Sequence, residues 1–305
     1  MGYKLAGFDV VGNVEIDKKI NDMYCKNNKP RYSFCMDIRD FLKKEDLPDE
    51  LFNLDILDGS PPCSTFSMAG QREGAWNKEK KFREGQKKQR LDDLFFWFID
   101  VAERLQPKVI VAENVPGIVS GNAKGYCVEI IKRLSEIGYK VQMFCLNAAT
   151  MGVPQSRERV FFICRKKVAG WNDLKLEFHE KPILFGEVRS EAGEEYDLIF
   201  KQYLTMYKHG DKTIEDIKVR LGVKKTGFNH IICADDEVCA TIACSCYAFR
   251  AFDKMKMSEA DLRAVSTFPQ DYDFCGVKPK YACGMSVPPV MMAQVSSKIY
   301  EQWLS

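Results

Sequence analysis

Three short stretches carry side chains able to do chemistry. In LDILDGSPPCSTFS (residues 54–67), Pro61 and Pro62 fix two φ angles and remove two amide donors just ahead of Cys63. The residue before each proline is pushed towards extended geometry, so the apolar run ends in a stiff lip that displays the next side chain. A thiol displayed in this way is either a nucleophile or small filler in a turn. In PKVIVAENV, Glu113 closes five apolar residues and reads either as an acid–base group or, with Asn114, as a cap for the next turn. In QSRERVFFI, Arg157 and Arg159 precede another apolar run, as an exposed charged turn or as groups that orient an anion.

The elements that must position these groups show in the hydrophobic pattern. FDVVGNVEID, LDILDG and PKVIVAENV read as strands, succeeded by a late pair, GYKVQMFCLNA and RVFFICRK. Between them, LDDLFFWFIDVAERLQ and KGYCVEIIKRLSEIG have apolar residues at helical spacing, the second stopping at Gly138. Strands alternating with helices predict an α/β fold whose sheet is mostly parallel and covered on both faces. In such sheets ligands sit at the carboxyl ends of the strands. Glu15, Asp37, the Pro61–Cys63 turn and Glu113–Asn114 all fall there. After residue 167 the rhythm stops, so residues 168–256 are expected to form a second, smaller domain or a large insertion. Helical patterning returns in SEADLRAVSTF and in PPVMMAQVSSKIYEQWL, which starts with prolines where a helix tolerates them.

A chain of 305 residues, 46% hydrophobic, can bury a substantial core. It has no apolar run long enough to span a membrane and no secretory signal, which fits an intracellular, cytoplasmic place. The twelve cysteines therefore read as reduced thiols. The net charge of +2 does not announce a nucleic-acid partner. Local charge says more: residues 72–90, just after Cys63, hold eight Lys/Arg against three Glu, a solvated loop or a phosphate-facing one.

Taken together and in order, these motifs resemble the DNA cytosine-5 methyltransferases of bacteria and phages. GSPPCSTFS resembles the family's Pro-Cys nucleophile motif, with Ser64 where Gln is usual. Glu113–Val115 resembles its Glu-Asn-Val motif, and Gln155, Arg157 and Arg159 its Gln-x-Arg-x-Arg motif. GMSVPPVMMAQV resembles its C-terminal helix motif, with Met285 where Asn is usual. The resemblance runs over about residues 5–167 and 257–305. It implies a Rossmann-like class I methyltransferase fold that uses S-adenosylmethionine, with a catalytic domain at 1–167, a target-recognition domain at 168–256 and a C-terminal segment, 257–305, returning to the catalytic domain.

The resemblance also implies roles. Cytosine C5 is too weak a nucleophile to accept a methyl group from a sulfonium donor until a thiolate adds at C6, and Cys63 resembles the residue that adds. Glu113 resembles the acid that handles the proton at ring N3, for which a raised pKa is useful. Arg157 and Arg159 resemble the active-site arginines that orient the base and its phosphate. The target base must be flipped out of the duplex, and the basic stretch 72–90 then reads as a loop closing on DNA. Glu15, Ile16, Asp37, Ile38, Pro61, Leu94 and Ser286 match cofactor-binding positions; Ser64, Ser67, Gln155 and Thr241 match DNA-binding ones.

Two features depart from the pattern. The family opens with a strand and a Phe-x-Gly-x-Gly turn around the methionine part of the cofactor, and this sequence begins where the family is already in its first helix. Either a miscalled start or a real loss accounts for this, and the sheet is expected to lack a central member. Ala260 and Asp261 stand where the family has an Arg-Glu pair before STFP. Residues 165–256 balance 16 Lys/Arg with 15 Asp/Glu, so target recognition there would rest on base-edge contacts. Cys239, Cys244 and Cys246 do not match zinc spacings, and His179, His209 and His230 lack ligand-like spacing, so no metal is expected. The function implied is methylation of C5 of cytosine in a short duplex DNA sequence, in a phage or beside a cognate restriction endonuclease. The alternatives are an RNA cytosine-5 methyltransferase, whose tRNA-directed form would carry a Cys-Phe-Thr signature that this sequence lacks, and a truncated, inactive DNA-binding remnant.

Overall fold

A computed structural model of the chain describes residues 1–61, 93–121, 123–167, 171–224 and 230–305. Pro62, Cys63, Ser64, Ser67 and the basic stretch 72–90 lie outside the described residues. The chain starts with α1 (Gly2–Leu5), then alternates β1 (Gly12–Val14), α2 (Lys18–Asn28), β2 (Tyr32–Phe34), α3 (Ile38–Lys43) and β3 (Ile56–Gly59). It continues through α4 (Leu94–Leu105), β4 (Val109–Asn114), α5 (Ala123–Glu136), β5 (Tyr139–Asn147), β6 (Gln155–Ser156) and β7 (Glu158–Lys166). The later part holds α6 (Phe185–Val188), α7 (Leu198–Leu204), α8 (Ile214–Arg220), β8 (Ile231–Cys233), β9 (Cys239–Ala240) and β10 (Ala248–Arg250). Three helices finish it: α9 (Glu259–Val265), α10 (Pro279–Met285) and α11 (Pro289–Ile299). No helix of the described residues is long and apolar enough to cross a membrane.

The chain divides into two compact units. A sheet unit holds Val10–Leu146, Glu158–Leu176 and Lys298–Ser305; a split unit holds Met1–Asp9, Asn147–Arg157 and Glu177–Ser297. The sheet unit contains a four-stranded sheet in the order β3-β4-β7-β5 and a separate pair, β1-β2. β3 and β4 run parallel, Ile56 opposite Val109 and Gly59 opposite Ala112. β1 and β2 are also parallel, Val14 opposite Phe34. The expectation of a mostly parallel sheet fails on the other side of β4, where β7 is antiparallel, Glu113 opposite Phe161. The reason lies in the connection. Residues 148–157, between β5 and β7, contain no α-helix, and a parallel neighbour needs a longer crossover.

Helical periodicity in α4 buries Phe95, Phe98, Ile99, Val101, Ala102 and Leu105 on one side. α5 buries Cys127, Ile130 and Leu134 and is succeeded by Gly138 at a φ of 98°, the left-handed position that the stop signal required. Both helices pack on β4, whose Val109, Ile110, Val111 and Ala112 are fully buried. Although β1 and β2 are not hydrogen-bonded to the larger sheet, Val14, Phe34 and Leu57 pack on one core around Phe41, Leu51, Val101 and Leu105.

Residues 257–297 belong with 177–256, and only Lys298–Ser305 join the sheet unit. The physical cause is a buried ion pair. Arg250 in β10 lies 3.3 Å from Asp261 in α9, and both side chains are wholly buried. Asp261 also accepts from the backbone N–H of Ser190 (2.7 Å) and of Ser258 (2.9 Å), so it closes the N-terminus of α9 at the same time. Removing one partner of such a pair costs more than the pair contributes, which ties the two segments together.

Gly59 allows β3 to meet α4 closely. A Cβ there would stand 2.4–2.8 Å from the ring of Phe98. Gly59→Ala is therefore expected to destabilise the protein by about 1–3 kcal/mol, with partial recovery in Gly59→Ala/Phe98→Leu, both read from urea unfolding. Wild-type stability in the single variant would show that β3 and α4 are not held at this separation.

Candidate active site

The carboxyl end of β4 carries the sheet unit's densest set of candidate groups. Burial drives Val109–Ala112 into the core, and the strand ends by exposing Glu113 partly to solvent. Arg159, at the start of the antiparallel β7, reaches it: Nε lies 2.8 Å from Glu113 Oε1, with both side chains 12% exposed. Arg159 Nη1 donates to the carbonyl of Glu158 at 2.7 Å. At so low an exposure the pair fixes both groups.

Asn114, next in the strand and buried, holds the neighbouring chain. Its Nδ2 donates to the carbonyl of Pro61 at 3.4 Å, and its Oδ1 accepts from the N–H of Val115 at 2.9 Å. The lip that leads to Cys63, two residues on, is thus fastened beside Glu113 at Pro61. Asn114 is a positioning residue that the sequence offered only as a cap. A buried amide at the end of an apolar run was its signal, because such a group must find partners.

At the carboxyl end of the β1-β2 pair stand the candidates for a nucleoside. The parallel register brings Glu15, just past Val14, and Asp37, three residues past Phe34, to one edge. Glu15 Oε1 accepts from the N–H of Asp17 at 2.7 Å. Asp37 caps α3 through the N–H of Arg39 at 2.8 Å and pairs with the Arg39 guanidinium at 3.0 Å. Asp37 is thus the N-cap of α3, and Glu15 holds the N–H of Asp17, the N-cap of α2. Ile16 is 45% exposed between them, an apolar face with no core to join. Ile38 faces the other way, into the two hydrophobic clusters of the unit. Leu94 opens α4, half-buried.

The remaining described candidates lie in the split unit. Arg157 is 1% exposed. Its Nη1 donates to the carbonyl of Ile242 (3.0 Å) and its Nη2 to that of Gly284 (2.8 Å). Arg157 thus holds two buried carbonyls, while Arg159 is the arginine paired with Glu113. Gln155 is fully buried. It donates to the carbonyl of Val265 at 3.2 Å and accepts from the N–H of Ile242 at 3.1 Å. Thr241 donates from its hydroxyl to the carbonyl of Ser156 at 2.6 Å, across the β6-β9 pairing. Ser286 donates to the carbonyl of Ala282 at 2.7 Å, at the end of α10. His230 is a core group: Nδ1 accepts from the N–H of Tyr247 at 3.0 Å, and burial lowers its pKa, with the charges of Lys280 and Lys218 acting in the same direction.

This geometry has relatives. The chain belongs to the C-5 cytosine-specific DNA methylase family, whose pattern matches residues 1–301. It is 35% identical to the type II methyltransferase M.FnuDI of Fusobacterium nucleatum over 61% of this chain and 48% of that protein. It is 37% identical to the type II methyltransferase M.DdeI of Desulfomicrobium norvegicum over 53% of this chain and 36% of that protein. The chain thus spans about half or less of the length of these curated relatives. Among solved structures, a prophage-encoded E. coli protein named as a DNA modification methyltransferase superposes with a TM-score of 0.69 at 18% identity, over 100% of this chain and 95% of that one. The DNMT2 of Spodoptera frugiperda superposes at 0.64 and 17%, over 98% and 95%. These likenesses show a shared α/β methyltransferase fold.

The role of Arg157 is measurable. Arg157→Met should cost about 2–4 kcal/mol of folding stability, because two charged hydrogen bonds to buried carbonyls are lost. Urea unfolding checks this, and an unchanged midpoint would show that those carbonyls find other donors.

Proposed function

We propose that the chain transfers a methyl group from S-adenosylmethionine to C5 of cytosine in a short duplex DNA sequence, through a covalent Cys63 adduct on a flipped-out base. Family membership supports the reaction class. The single observation that carries the site is the juxtaposition at the end of β4: Glu113 held 2.8 Å from Arg159, with Asn114 fastening the Pro61 lip alongside.

These groups suit each step of the chemistry. Cys63 Sγ adds to C6 of the ring, and the electron pair moves through C5 towards N3. Glu113 holds or gives the proton at N3 as charge builds there, and Arg159 orients its carboxyl. After transfer, loss of the proton at C5 lets the ring expel Cys63 and restores aromaticity. The bound cofactor supplies an electrophilic methyl on a sulfonium centre. The residues at the β1-β2 edge suit its nucleoside: exposed Ile16 for the adenine face, Glu15 for the ribose hydroxyls and Asp37 for the adenine edge. Ile38, Pro61, Leu94 and Ser286 complete the proposed cofactor set. Residues 168–256 are the proposed recognition segment. Ser64, Ser67, Gln155 and Thr241 are its proposed neighbours on DNA, with Arg157 beside Arg159 in the proposed catalytic set, and a restriction endonuclease acting on the same sequence is the proposed partner.

The test is transfer of radiolabelled methyl from S-adenosylmethionine to unmodified duplex DNA of mixed sequence. Wild type should label DNA and Cys63→Ala should not, while Glu113→Gln should be slower by about 10²–10⁴-fold. Equal labelling by Cys63→Ala would overturn the nucleophile, and no labelling by wild type would overturn the activity.

A further inference from the structure

The split unit contains a groove of about 350 Å³ between β10 and the start of α10. Lys256, Lys278 and Lys280 converge on it, with Tyr247 as part of its wall. Two acids also line it, and both are occupied. Glu194 Oε2 lies 2.6 Å from Lys256 Nζ, and Glu259 Oε1 lies 2.7 Å from Arg263 Nη2, one turn further along α9. Among the described residues, Lys278 and Lys280 have no carboxylate within ion-pair distance.

Lys280 is the informative group. It is half-buried, and its ammonium sits 4.1 Å above the ring of Tyr247. That ring packs against the imidazole of His230, with ring centres 5.4 Å apart, yet the residue stays 41% exposed. Burial holds the Lys280 ammonium below the ordinary lysine range, and the charges of Lys278 and Lys256 push the same way against the opposing thiols of Cys246 and Cys244. A half-buried cation facing like charges carries a desolvation cost that an entering anion would offset. The groove is wider than a single phosphate needs, and its lysines come from two separate segments with an aromatic platform between them. That arrangement suits a polyanionic backbone passing through.

We propose that this groove clamps a backbone phosphate of duplex DNA, with Lys278 and Lys280 as its partners and Tyr247 as the platform that aims Lys280. The inference rests on the DNA substrate proposed above. It is a positioning site: it sets orientation on the duplex and reads no base.

Fluorescence anisotropy of the full chain with mixed-sequence duplexes, across a salt series, tests it. Each phosphate contact contributes about 0.9 to the slope of log K against log salt. Lys278→Gln/Lys280→Gln should lower that slope by about 1 and weaken binding alike across sequences. Lys280→Arg, which keeps the charge, should retain the wild-type slope and serves as the folding control. Wild-type binding with an unchanged slope in the double variant overturns the clamp alone. Absence of duplex binding by wild type overturns the substrate reading as well. Calorimetric titration with inorganic phosphate separates the sources: Lys280-dependent phosphate binding with an unaltered DNA slope would assign the groove to a free anion and overturn the clamp.

Discussion

The sheet unit depends on β4 being hydrogen-bonded on both edges while its side chains are buried on both faces. Val109–Ala112 have no exposed surface, so the strand cannot slip by one residue without moving the polar end, Glu113 and Asn114, into the core. Register on the parallel side fixes where β3 stops and the proline lip begins. Register on the antiparallel side fixes where β7 starts and Arg159 stands. Three groups from distant parts of the sequence therefore reach one place because a single apolar strand allows only one alignment. The polar site is a consequence of the apolar run before it.

The split unit has no such strand and solves its assembly differently. Its strands are two or three residues long, too short to organise pieces that lie far apart in sequence. Buried arginines take over. Arg250 joins β10 to α9 through Asp261 and also donates to the carbonyl of Glu191 at 3.3 Å, while Arg157 joins the carbonyls of Ile242 and Gly284. A guanidinium has five donors in a rigid fork, so one side chain can satisfy acceptors from two or three segments. The result is specific in geometry and intolerant of losing either side. Asp261 supplies the buried carboxylate of this arrangement.

Much of this was legible in the sequence. Continuous burial of VIVA, the amphipathic spacing of α4 and α5, and the stop at Gly138 all come from local pattern, and local pattern is what sequence carries best. The candidate site was legible where a residue's place depends on its own strand, as with Glu113. It was not legible where a partner from elsewhere decides. Arg157 and Arg159 are two residues apart with similar surroundings in the sequence, yet Arg157 meets backbone carbonyls and Arg159 meets a carboxylate. Gln155 reads as polar and available but is enclosed by Ile242, Val265 and Ser266. The grouping of 257–297 with 177–256 rests on Arg250 and Asp261, whose pairing spans a turn that no periodicity reports. The antiparallel course of β7 was hidden for a similar reason: it depends on the length of a connection, which apolar patterning does not weigh.

Charge shows the same limit from another side. A net charge of +2 averages 45 basic residues against 43 acidic ones and suggests an indifferent surface. Most exposed ion pairs, such as Lys18–Asp22 and Lys132–Glu129, contribute little to stability or to the outer field, because each cancels its own partner at high dielectric. What a ligand meets is the residue of this cancellation. Lys278 and Lys280 matter because the acids near them are committed to Lys256 and Arg263. Their positive field therefore survives at short range although the whole chain is close to neutral. A Debye length of about 8–10 Å makes that short range the one that counts in solution. Near-neutrality of a chain is thus compatible with a strong local anion site, provided the acidic groups around it are already paired.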